Sequence, residues 1–140
     1  MTGVFLYAYV DSSVQTEDNI GMSTTPRLAV RCRDNRTEAF IVWDNYLDGN
    51  SGGYDDDRHI VTLRLPPNDP WNERMNVSTD NDSTFLRNAV RFIKRLVGHD
   101  RLVARTTPFN ESPQTALFNV SGTREALTPL ATMCGWEFDN

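Results

Sequence analysis

The sequence predicts a β-rich α+β domain: a mainly antiparallel sheet or sandwich of six or seven strands, one amphipathic helix over about residues 83–97, and a short C-terminal helix. Three observations lead there. Several short runs alternate apolar and polar residues with period two, the pattern of half-buried strands. Clusters of Pro, Asn, Asp and Gly punctuate those runs. From Ser83 the apolar spacing changes to that of a helix. With 140 residues the chain reads as one domain, 1–140, large enough to bury a core.

Taken in order, Val4–Val10 (VFLYAYV) is a first strand, apolar on both faces. Asp11–Thr25 is polar, holds Gly21 and reads as a connection. Pro26–Tyr46 then forms a hairpin. Leu28, Val30 and Cys32 alternate with Ala29, Arg31 and Arg33, Asp34-Asn35 supplies the turn, and Phe40–Trp43 is apolar on both faces like a central strand. A long loop dense in Gly and Asp follows, over 47–58. In Ile60–Leu65, Val61, Leu63 and Leu65 take one face and Thr62 and Arg64 the other. Pro66–Pro70 is a turn that cannot donate to a ladder. Trp71, Met75 and Val77 alternate with Asn72, Arg74, Asn76 and Ser78, a strand with distinct inside and outside. The helix carries Phe85, Leu86, Ala89, Val90, Ile93, Leu96 and Val97 at helical spacing, with Asp82 or Ser83 as cap and Gly98 at C′. Leu102–Arg105 and Ala116–Val120 are short strands around the turn Thr107–Pro113. Thr123–Cys134 is the last helix, restarted at Pro129, with Leu127, Leu130 and Cys134 on one face.

At 39% hydrophobic and 24% charged residues the composition is that of a globular domain, and a net charge of −5 argues against general nucleic-acid binding. No apolar run is long enough for a membrane span. Met1–Leu6 shows no basic start, long apolar stretch or cleavage site. The expected location is therefore the periplasm or envelope if a leader has been removed, and otherwise the cytoplasm. Cys32 and Cys134 lie far apart, and with His59 and His99 they supply no metal-ligand spacing. They are a disulfide or two inward-facing thiols. A bridge closing so long a loop would stabilise the fold by roughly 4–5 kcal/mol and point to an oxidising compartment.

Five constellations of residues bear on chemistry. Asp80-Asn81-Asp82-Ser83-Thr84 matches the D-x-D-x-T string of Mg²⁺-dependent phosphotransferases, but that chemistry needs a buried parallel strand before it, and helix capping is the simpler reading. Gly52–Asp57 offers adjacent carboxylates suited to Ca²⁺ but lacks the spacing of a calcium motif, so it reads as a solvated acidic loop. Arg87, Arg91, Lys94 and Arg95 make a basic helix face, suited to an acidic partner or lipid headgroups and otherwise simply solvated. His59 and His99 read as surface histidines, neither near a nucleophile. Arg31, Arg33, Arg64 and Arg105, with Glu73, Ser78 and Asp80, lie on or beside strands away from the apolar set. They form either a protein-docking face or a set of cross-strand ion pairs.

Several strings together resemble the type VI secretion-associated VasI/TagO family, whose relatives include prophage and phage proteins. They are Pro26–Cys32 (PRLAVRC), Phe40–Trp43 (FIVW), Ser78-Thr79-Asp80, Thr107–Pro113 (TPFNESP), Phe118–Gly122 (FNVSG) and Cys134-Gly135-Trp136. The resemblance covers about residues 4–136. It implies that Cys32 and Cys134 are paired, and that the chain is an envelope-associated accessory or binding protein with no catalytic motif.

The first functional expectation is therefore a non-enzymatic accessory protein of a bacterial envelope or type VI secretion system, using no cofactor and no metal and acting on an unidentified protein partner, not on nucleic acid. The alternative is a phage- or prophage-encoded inhibitor that binds a defence or transcription protein in the host cytoplasm. A third is a metal-dependent phosphohydrolase using Asp80 and Asp82.

Overall fold

A computed structural model describes residues 5–17, 21–45, 47, 58–107 and 113–139. In chain order the elements are β1 (Phe5–Asp11), the two-residue strands β2 (Thr16–Glu17) and β3 (Ser23–Thr24), β4 (Arg27–Arg33), β5 (Arg36–Val42), β6 (Arg58–Arg64), β7 (Trp71–Val77), β8 (Ser83–Phe85), α1 (Ala89–Leu96), β9 (Arg101–Thr106), β10 (Gln114–Asn119) and α2 (Thr123–Met133).

The hairpin of β4 and β5 turns on Asp34 and Asn35, whose φ angles of 54° and 64° suit the right-handed twist of the strands they join. That turn sets the register Cys32↔Thr37, Val30↔Ala39 and Leu28↔Ile41, which puts the alternating apolar set on one side. The whole sheet has the order β1-β4-β5-β8-β7-β6-β9-β10, and every neighbouring pair is antiparallel. It curls until its two edge strands meet at one end. There the Ser13 N–H donates to the Leu117 carbonyl at 2.9 Å, and the Leu117 N–H donates to the Ser12 hydroxyl at 3.1 Å. The result is an open barrel. Its inner face and the apolar sides of both helices share one core, from Leu28, Val30 and Ile41 through Met75, Ile93 and Phe118 to Leu130.

The sheet has eight strands, not six or seven, because residues 83–85 form β8 rather than the start of a helix. β8 pairs on both sides, Phe40↔Phe85 and Ile41↔Thr84 with β5, Asn76↔Phe85 and Val77↔Thr84 with β7. The helix begins only at Ala89, capped by the Asn88 side chain, which accepts from the Arg91 N–H at 3.1 Å. It ends as expected before Gly98, which takes φ 86°. α2 is also continuous through Pro129 instead of restarting there. Pro129 faces solvent, where water can serve the carbonyl that loses its N–H partner.

Cys32 and Cys134 stand at disulfide distance, with S–S 1.95 Å and Cα–Cα 5.8 Å. The bridge ties the C-cap of α2 to β4. Beyond it, the Trp136 indole N–H donates to the Thr37 hydroxyl at 2.9 Å, so the tail is held against the inner face of β5. The first strand is not apolar on both faces: Leu6, Ala8 and Val10 pack against the core, while Tyr7 and Tyr9 face outward. The acidic loop at 52–57 and most of the turn at 107–113 lie outside the described residues.

Candidate protein-docking face

Strand alternation decides what the outer face carries. Across β1, β4, β5, β8 and β7, one row of the register reads Tyr9, Ala29, Phe40, Phe85, Asn76, and the next across the first three strands reads Tyr7, Arg31, Glu38. Ala29 is fully buried although it points outward, because its small side chain lies between the aromatic residues Tyr9 and Phe40. Phe40 and Phe85 stack with centroids 4.6 Å apart.

Two guanidinium groups lie on this aromatic floor. Arg27 sits 3.8 Å from the centroid of Tyr9, and Arg31 sits 4.9 Å from that of Phe40 and 5.7 Å from that of Phe85. Carboxylates orient both: Arg27 Nε donates to Asp11 Oδ1 at 2.8 Å and Arg31 Nε to Glu38 Oε1 at 2.6 Å. Asp11, and after it the Tyr7 hydroxyl, hold the Arg27 guanidinium even more firmly protonated than usual. Tyr7 and Tyr9 remain 39% and 55% exposed. Flat, oriented arginines and partly exposed tyrosines in one patch are the composition of a protein-interface centre.

The residues anticipated from sequence are only partly brought together. Arg31 and Arg33 lie on β4, whereas Arg64 and Arg105 lie on the adjacent strands β6 and β9, with β5, β8 and β7 between the two groups. Asp80 is exposed in the turn between β7 and β8. Glu73 shares the inner side with Trp71 and Met75, not the outer face, and accepts from the Trp71 indole N–H at 2.9 Å. Ser78 is spent locally, accepting from the backbone of Asp82 and Ser83 and donating to Asp82 Oδ1 at 3.3 Å. The basic helix face divides too. Arg87 precedes the helix, Arg95 lies 3.7 Å above Trp71, and Lys94 pairs with Asp139 at 3.5 Å, while Arg91, like Arg87, is exposed.

The D-x-D-x-T residues belong to an antiparallel turn. Asp82 Oδ1 also accepts from the Ser83 hydroxyl at 3.0 Å, and Thr84 is fully buried. His59 is not a surface residue: it is 4% exposed and its Nε2 lies 2.5 Å from the Thr106 hydroxyl. Its strand alternation with Val61 and Leu63, both core residues, carries that signal in the sequence. Among the described residues, no group of three or more His, Cys, Asp or Glu could hold a metal ion, and no helix is long and apolar enough to cross a membrane. Sequence reasoning missed Tyr7, Tyr9, Arg27, Phe40 and Phe85. Tyrosines two apart in an edge strand were the available sign.

Compared with known proteins, the chain matches no family model, no curated protein and no solved structure.

Proposed function

We propose that this chain is a non-enzymatic binding protein of a bacterial envelope, working in an oxidising compartment and docking a protein partner on the outer face of β1, β4, β5 and β8. The observation that carries the reading is the pair of guanidiniums, Arg27 and Arg31, laid on Tyr9, Phe40 and Phe85 and oriented by Asp11 and Glu38. Truncating such anchors removes most of the binding energy of an interface. The bridge between Cys32 and Cys134 suits a compartment in which thiols are oxidised. The resemblance to the VasI/TagO family supports the association with type VI secretion.

The test is retention of a partner from envelope extract by the immobilised chain. Tyr9→Ala/Arg27→Ala should weaken that retention by at least about tenfold, as expected for two interface anchors. Arg105→Ala, on β9, should leave it unchanged. Undiminished retention by the double variant overturns the docking face. Thiol titration of the native protein checks the compartment: two reactive thiols in freshly isolated protein would favour the cytoplasmic inhibitor instead.

A further inference from the structure

Beside the docking face the sheet has a gap. β5 and β7 each run for seven residues, but β8 between them has three. The register aligns Phe85 with Phe40 on one side and Asn76 on the other, and the chain leaves the sheet one residue later, after the Leu86 N–H donates to the Ala39 carbonyl at 2.9 Å. Before Ala39, β5 therefore has no strand on its β8 side.

Backbone polarity in an antiparallel strand alternates, so a residue two positions away points its N–H and C=O the same way. Because the Ala39 carbonyl faces β8, the backbone of Thr37 faces the gap. No backbone hydrogen bond reaches it from that side among the described residues. Neighbouring strands lie about 4.8 Å apart, and past Phe85 no strand occupies that position beside β5, where Thr37 lines an open cleft.

The side chains around the gap carry the opposite sign to the protein as a whole. A cleft of about 520 Å³ is lined by Arg31, Arg36 and Arg87 with Glu38, Asn76 and Phe85 among its walls, three guanidiniums against one carboxylate in a chain of net charge −5. Arg31 is held by Glu38, but Arg36 and Arg87 are exposed and make no ion pair among the described residues.

We infer that this cleft receives an acidic, extended segment of the partner protein, whose backbone pairs with Thr37 and whose carboxylates meet Arg36 and Arg87. This rests on the docking reading above and names the chemistry of what docks. An extended peptide uses both features at once, adding a strand for affinity and placing alternate side chains for specificity. A small anion or a lipid headgroup would use the arginines and leave the backbone edge idle.

Fluorescence polarisation with a labelled, acetylated (Val-Glu)₃ peptide tests it on the intact chain. Wild-type protein should bind this peptide and not its (Val-Lys)₃ counterpart. Arg36→Glu and Arg87→Glu should each weaken binding at least tenfold, with Arg36→Lys restoring most of it. N-methylation of the peptide backbone should weaken binding as strongly. No binding by wild type overturns the inference, as does binding indifferent to N-methylation or displaced equally by inorganic phosphate, which would mark an anion pocket only. Tyr9→Ala/Arg27→Ala should bind the peptide normally. If peptide binding fails while that variant still loses the envelope partner, the docking face stands and this inference alone falls.

Discussion

Trp43 is 1% exposed, and its indole N–H donates to the Thr84 hydroxyl at 3.1 Å. Both groups are buried, so water cannot replace either partner. Thr84→Val keeps the shape and leaves the indole N–H without an acceptor, which costs about 1–3 kcal/mol. The midpoint of urea unfolding should fall accordingly with the slope unchanged; an unchanged midpoint would mean the indole had found another acceptor. Residue-scale features of this kind divide by what reveals them. Cys32 points inward because it shares parity with Leu28 and Val30, which the sequence alone displays. The contact of Arg27 with Tyr9 depends on how β1 pairs with β4, and strand parity says nothing about register.

The boundary between β8 and α1 shows where element-scale reading stops. Phe85, Leu86, Ala89 and Ile93 have helical spacing, yet Phe85 faces outward on a strand, Leu86 lies in the link that follows, and only Ala89 and Ile93 lie on a helix. Local spacing could not separate the two, because the pairing to β5 that makes this segment a strand comes from residues distant in sequence. The start of the helix is testable. Asn88→Ala removes the side-chain acceptor for the Arg91 N–H and should cost about 0.5–2 kcal/mol of stability by chemical denaturation. A loss within error would mean that α1 begins without help from its cap. Strong alternation made β4, β6 and β7 legible, and the turn at Asp34-Asn35 was legible from its residue types. The docking face was not. It is a row across β1, β4, β5 and β8, and it exists only once strand order is known.

At the scale of the whole molecule, one covalent tie joins the ends of the fold. Cys32 and Cys134 are 102 positions apart, so the bridge restricts the unfolded chain over most of its length. Reduction should lower stability by roughly 4–5 kcal/mol in the chain-entropy account. Denaturant unfolding with and without reductant measures this, and coincident curves would contradict it. α2 and the Trp136 tail, which close over β4 and β5, should be the first segments opened to protease after reduction.

The same tie makes the folded chain a ring with two arms. Thirty-one residues precede Cys32 and six follow Cys134, while strands β5 to β10 and both helices lie inside the loop that the sulfurs close. Stretched between its ends, the oxidised molecule can pay out only the arms, about 130 Å at full extension, against about 490 Å for the reduced chain. Tension applied at the termini thus peels β1 away from β4, and then Arg27–Arg31 of β4 away from β5, and cannot reach β5 to β10 through the backbone. Strands β5 to β10 are mechanically shielded by the topology of the bridge, and the tyrosine-bearing edge strand, with the first residues of β4 behind it, is the part left to yield.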